Sequence, residues 1–189
     1  MPAAIITNEV EKVLLATIAT SQHAARNRLA FMLSLYSGMR AGEIAALKVG
    51  DVYGDNMTVK NEIHLTAEQT KGSKARRVIL NKRLARELTT YAVTLNERNS
   101  ESHRALIASQ KSGHFSANAM VQLFNNLYKN KTAHKLSSHS GRRTFITRLA
   151  AKGVGARILQ ELAGHKHLNT TQRYIDINDD MLHKATELL

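Results

Sequence analysis

At 189 residues the chain has room for one domain, or one with a small appendage, and for an ordinary buried core. Zero cysteines exclude disulfides, zinc–thiolate sites and cysteine nucleophiles, and a composition 43% hydrophobic but only 5% aromatic demands a core of Leu, Ile, Val, Ala and Met. Lys and Arg number 27 against 15 Asp and Glu, a formal net charge of +12, which points to a polyanionic partner, nucleic acid first, over a surface merely solubilised by lysine. The start, MPAAIITNEVEKV, lacks the basic-then-apolar order of a secretory leader, and no apolar run reaches spanning length. A cytoplasmic protein with no membrane partner is expected.

In chain order, Asn8 and Glu11 have capping-box spacing and predict a helix whose apolar face is Val10, Val13, Leu14 and Ile18. A second helix is predicted over His23 to Ser37, stopped by Gly38, with Tyr36 read as a core tyrosine. Arg40 and Glu43, three apart, open a short helix on whose surface they can lie near one another. From Gly50 the period changes: Met57 to Val59, Ile63 to Leu65 and Val78 to Leu80 are short β-prone pieces, predicting a small antiparallel sheet. Its last turn, Lys71 to Lys74 followed by Arg76 and Arg77, is too basic for a core. It is either a solvated turn or a reach toward phosphate.

Leu84, Leu88, Tyr91 and Leu95 restore a helical period after Asn81, and Ser116 caps a helix presenting Met120, Leu123, Phe124 and Leu127. A basic linker, Lys129 to Lys135, leads into Ser137 to Tyr174, and an amphipathic piece from Met181 to Leu189 ends the chain. The fold expected is α+β, mainly helical with a small antiparallel β-sheet.

The chemistry concentrates between Ser137 and Tyr174. His139 and Arg142 stand three apart, so one helix or helix entry can point both at a common site. Gly164-His165 follows, then Tyr174 nine residues later. A straight helix would separate His165 and Tyr174 by about 14 Å, so the chain must bend, with Gly164 as a stop and Asn169, Thr170 or Thr171 as a new cap. Cationic and hydrogen-bonding groups followed by one hydroxyl are what is needed to hold a phosphodiester while a phenol attacks it. His165 with His167 lacks a third ligand, which argues against a metal, and Tyr53, Tyr91 and Tyr128 read as packing residues.

Gly38-Met-Arg40-Ala-Gly-Glu43-Ile, Thr70-Lys71-Gly, His139-Ser-Gly-Arg142, Ala163-Gly164-His165 and Tyr174 occur in that order along the chain. Each motif alone is weak; together they resemble the catalytic domain of the tyrosine recombinases, the phage integrase family, from about Thr7 onward. The resemblance implies site-specific DNA strand exchange through a 3′-phosphotyrosyl intermediate, without cofactor or metal. It implies Arg40 and Arg142 on the non-bridging phosphate oxygens, His139 taking the phenolic proton, and His165 donating a hydrogen bond. Lys71 would be the general acid to the leaving 5′-hydroxyl, with Lys74 as its competitor. Glu43 would buttress the arginine or histidine, and Tyr174 would be the nucleophile. Lys74, Arg76, Arg77 and Arg143 are expected to contact DNA. The same resemblance implies a catalytic domain over residues 1–175 and a tail at 176–189 that docks on a neighbouring protomer. Partners would be double-stranded DNA and further copies of the chain, a tetramer on DNA and a monomer when free, nucleoid-associated when bound.

Two departures from the family pattern stand out. Where many members have His-x-Leu-Arg-His, this chain has Gly141 for the leucine and Arg143 for the second histidine. Most members also carry a core-binding domain ahead of the catalytic one, whereas this chain starts almost at the latter, as an excised fragment or a short single-domain member would. Weak, strongly salt-dependent DNA binding is expected of it. A type IB topoisomerase-like relaxing activity and a non-catalytic DNA-binding regulator are the alternatives.

Overall fold

The structure is a computed structural model that describes residues 3–70, 74–95, 100–110, 113–129, 135–175 and 186–187. Helix α1, Asn8–Ala19, starts one residue earlier than its capping box predicts: Thr7 is the cap, its hydroxyl accepting from the Val10 N–H. Glu11 is drawn away from capping into the interior by Tyr36, Arg83 and Arg148. The predicted apolar face of α1 is correspondingly narrower, because Leu14 and Ile18 are buried while Val13 is half exposed.

Helix α2, Ala24–Ser37, is the axis of the core, with an unbroken buried run from Leu29 to Leu35. A helix apolar on every side must be covered on every side. Against α2 pack α1, α3 (Ala41–Ala46), α5 (Lys82–Ala92) and α7 (Ser140–Ala150). Asn81 caps α5 and Ser116, as predicted, caps α6 (Ala117–Tyr128), each accepting the N–H three residues on. Tyr128 joins Phe31 and Phe124 in an aromatic cluster, and the Tyr53 and Tyr91 hydroxyls donate to the carbonyls of Leu88 and Leu106. These three tyrosines are packing residues.

Among the described residues the sheet has two strands rather than three pieces. After the short helix α4, Val49–Val52, the backbone of Asn56 and Met57 turns left-handed (φ 55° and 57°), and Val59 makes only an isolated bridge to Tyr53. Strands β1 (Glu62–Leu65) and β2 (Arg76–Ile79) pair antiparallel, Ile63 opposite Val78 and Leu65 opposite Arg76. Period-2 alternation buries Ile63, Leu65 and Val78 and sets Arg76 on their face, while Arg77 faces outward.

A second, smaller apolar cluster joins α7 to α8 (Ala156–Ala163) through Ile146, Ala150, Leu159 and Ala163, and Tyr174 packs against it. Helix α9, Leu168–Gln172, begins at His167 and not at the predicted Asn169–Thr171 caps, because Thr171 is fully buried and bonded to His165. No helix among the described residues is long and apolar enough to cross a membrane.

Candidate active site

Arg40 is the N-cap residue of α3 and Glu43 its third residue. The Glu43 carboxylate accepts the Arg40 N–H at 2.9 Å and the Arg40 Nη1 at 2.8 Å, which is the reach-back of a capping box with an added ion pair. Glu43 and Arg40 are therefore in direct contact. Arg142 lies on α7, 5% exposed, and its guanidinium spans two backbone carbonyls, Nη1 to Gly38 at 2.7 Å and Nη2 to Ala163 at 2.6 Å. Arg40 Nη2 reaches the next carbonyl, Gly164, at 3.4 Å.

Arg76 departs from its expected place. Grouped by sequence with cations that reach DNA, it turns inward with its side chain only 9% exposed. Its Nε and Nη2 fork the Glu43 carboxylate at 3.2 and 2.7 Å, and its Nη1 donates to Leu162 at 3.2 Å. The signal for this was the strand period, which puts Arg76 on the face of buried Val78. Gly164 permits the approach: it caps α8 at φ 62°, and a Cβ there would lie 2.5 Å from Arg76 Cδ.

Three guanidiniums thus crowd about one carboxylate. Burial first, then Arg40, pushes Arg142 down to about 9, with Arg76 adding to the fall and Glu43 and Tyr174 opposing it. Burial would raise the Glu43 carboxyl, but hydrogen bonds and charge from Arg76, then Arg40, hold it below its ordinary value. The His165 imidazole is pushed down to about 4 by burial and then by Arg142, Arg40 and Arg76, so it is neutral at pH 7. Its Nδ1 lies 2.9 Å from the Thr171 hydroxyl, and its ring stacks on Tyr174 at 5.8 Å between centroids, 17° from parallel.

Tyr174 follows α9 and is half-buried between His165 and the guanidinium of Arg143, which lies 5.9 Å from the ring centroid. Burial, foremost, raises the phenols of Tyr36 (to about 12), Tyr53, Tyr91 and Tyr128. Tyr36 is half-buried, giving its hydroxyl to Glu11 and its ring face to Arg83.

The remaining expected residues scatter in environment. His139 stands exposed at the N-cap of α7, one turn from Arg142, its Nδ1 3.4 Å from the Ser138 hydroxyl. Arg143, expected on DNA, donates Nη1 to the Ala3 carbonyl at 2.9 Å, tying the chain's entry segment to α7. Arg77 is exposed beside Glu62 at 3.5 Å, and Lys74 is exposed with its carbonyl accepting from the Thr70 hydroxyl. Lys71, and the tail apart from Thr186 and Glu187, lie outside the described residues. His167 is exposed at the start of α9, turned from the cluster that takes His165.

A family model for the phage integrase family matches residues 4–181. The tyrosine recombinase XerA of Thermococcus kodakarensis is 31% identical over 189 residues, which is 99% of this chain and 62% of that protein. Transposase A from transposon Tn554 of Staphylococcus aureus is 28% identical over 180 residues, 88% of this chain and 48% of that one. A crystal structure of XerA recombinase superposes with a TM-score of 0.76 at 24% identity, over 100% of this chain and 65% of the other. The Tn1549 transposon integrase in complex with transposon right end DNA superposes with a TM-score of 0.71 at 20% identity, over 99% and 66%. This chain spans 48–62% of the length of these two sequence relatives.

Proposed function

The chain belongs to the phage integrase family, and from that premise we propose that it breaks and rejoins DNA strands as the catalytic domain of a site-specific recombinase. The observation carrying this is the convergence of Arg40 and Arg142 on adjoining carbonyls, Gly164 and Ala163, beside His165 and Tyr174.

The Tyr174 phenol attacks phosphorus, a bond forms from its oxygen to the 3′-phosphate, and the 5′-oxygen leaves. A free phenol titrates near 10, so ionising it at pH 7 costs about 4 kcal/mol. A preorganised donor to a developing oxyanion contributes about 3–4 kcal/mol. Arg40 and Arg142 supply several. Each guanidinium has five N–H groups, and the carbonyl and carboxylate bonds described above leave others for phosphate oxygens. His165 is neutral, and in the tautomer whose Nδ1 accepts from the Thr171 hydroxyl it would carry its proton on Nε2 and donate from there. His139, exposed one turn from Arg142, takes the phenolic proton. Lys71 gives a proton to the leaving 5′-oxygen. Attack by the 5′-hydroxyl of a second strand reverses the step, so no external energy source is required.

The partners on this reading are double-stranded DNA and further copies of the chain, a monomer when free assembling to a tetramer on DNA in the cytoplasm. Residues 1–175 form the catalytic domain and residues 176–189 a tail docking on the neighbouring copy. Incubation with nicked suicide DNA tests the reaction. A covalent adduct with wild type, absent in Tyr174→Phe, is expected; no adduct from wild type under conditions where it binds DNA leaves a binding protein instead.

A further inference from the structure

Arg76 lies at the centre of the phosphate-binding cluster without a part in the chemistry just described. All three of its guanidinium nitrogens are engaged by protein, two on Glu43 and one on Leu162. With its side chain 9% exposed, it is poorly placed to meet a DNA backbone. What it does hold is the group that aims Arg40. Glu43 Oε1 receives Arg76 Nε and Arg40 Nη1, and Oε2 receives Arg76 Nη2 and the Arg40 N–H. A two-pronged guanidinium fixes the plane of a carboxylate as well as its position. Fixing that plane fixes the direction in which Arg40 projects.

A second arrangement supports the same assignment. Leu162, Ala163 and Gly164 offer three consecutive carbonyls, and each takes a different arginine: Arg76 from β2, Arg142 from α7 and Arg40 from the start of α3. These carbonyls end α8, where the helix dipole is negative, so the helix end and Glu43 together compensate three buried or half-buried cations. Removing the Arg76 fork loosens both anchors at once.

We propose that Arg76 is a positioning residue for strand cleavage, acting through Glu43 to aim Arg40 at the scissile phosphate and not by touching DNA. The proposal rests on the recombinase reading above. Lysine at this position keeps the charge but not the fork. Arg76→Lys should therefore lose about 10²-fold in the single-turnover rate of adduct formation at saturating DNA, the scale of an ångström's misplacement. DNA affinity should be unchanged.

Two modified nicked substrates, set beside the ordinary phosphodiester, locate the defect. In a methylphosphonate one non-bridging oxygen becomes methyl, removing the charge that Arg40 would meet. In a 5′-bridging phosphorothiolate the sulfur leaves without needing an acid. The Arg76→Lys deficit should shrink on the methylphosphonate and persist on the phosphorothiolate. Adding Arg76→Lys to Glu43→Gln should cost nothing further, because the two act in series. Recovery on the phosphorothiolate would instead route Arg76 through the hairpin and its lysine. Equal deficits on all substrates with a lowered Tm would make it merely structural, and weaker DNA binding with normal cleavage would make it a phosphate contact. Each of these overturns the proposal. A wild-type adduct with an unimpaired Arg76→Lys overturns the assignment alone, whereas no wild-type adduct on any substrate removes the recombinase reading and the assignment with it.

Discussion

His165 shows how much a single side chain's neighbours decide. By sequence it is the histidine of one short motif; in the structure it is bonded to Thr171, and burial first, then Arg142, Arg40 and Arg76, push it down to about 4. An unfolded chain returns the imidazole to about 6.5. The folded value lies below the unfolded one, so the stability tied to neutral His165 is fully present above about pH 6.5 and is lost as pH falls toward 4. Thermal unfolding followed across that window should show Tm falling with acid, with a flatter profile in His165→Gln. Parallel profiles would contradict the burial of this ring. Glu43, held below its ordinary value, adds a further loss at lower pH as it takes up a proton. Tyr174 is the complementary case, the tyrosine whose partners are an imidazole and a guanidinium face, and its replacement by Phe should abolish the adduct without unfolding the protein.

Among elements, α7 matters most, because it carries Arg142 and must lie close to α2. Gly141 makes that approach possible: a Cβ there would stand 2.4 Å from the Ser34 hydroxyl and 2.9 Å from its Cβ. The Gly141 that departs from the usual family pattern is thus matched to its contact. Gly141→Ala should destabilise the fold by about 1–3 kcal/mol, the ordinary range for overpacking. Urea unfolding would measure it, and Ser34→Gly in the same chain should recover much of the loss. Equal stability of Gly141→Ala and wild type would mean that α7 can shift freely, and with it Arg142. The entry segment is strapped to the same helix, Ile6 N–H to the Thr144 hydroxyl at 2.8 Å and Arg143 to Ala3. The entry segment is therefore mechanically joined to the helix that carries Arg142.

For the whole molecule, charge governs encounter. At +12 the chain should bind duplex DNA with an affinity that falls steeply with salt, log Kd changing by about 0.9 per log unit of salt for each phosphate neutralised. Fluorescence anisotropy at several salt concentrations gives that slope; a flat dependence would contradict phosphate-dominated binding. Assembly is a separate matter. Deleting Met181 to Leu189 should reduce oligomer formation on DNA while leaving cleavage by single chains intact, read by gel shift and by suicide-substrate adduct in parallel. Undiminished assembly would place the contacts between copies elsewhere.

The linear chain was sufficient for what depends on local spacing. The cap at Ser116, the stops at Gly38 and Gly164 and the Arg40–Glu43 pair follow from the order of residues, because each requires only neighbours within a turn or two. Only tertiary structure decided which cations would be spent inside. Arg76 and Arg77 are adjacent and chemically identical, yet one is buried on Glu43 and the other is exposed, since a strand sends successive side chains to opposite faces and only one face meets α8. Glu11 was taken from a cap by residues 25, 72 and 137 positions away, and Arg143 is bonded to a carbonyl 140 positions away. A buried charge is settled by whichever partner the fold brings to it, and sequence distance carries no information about that meeting.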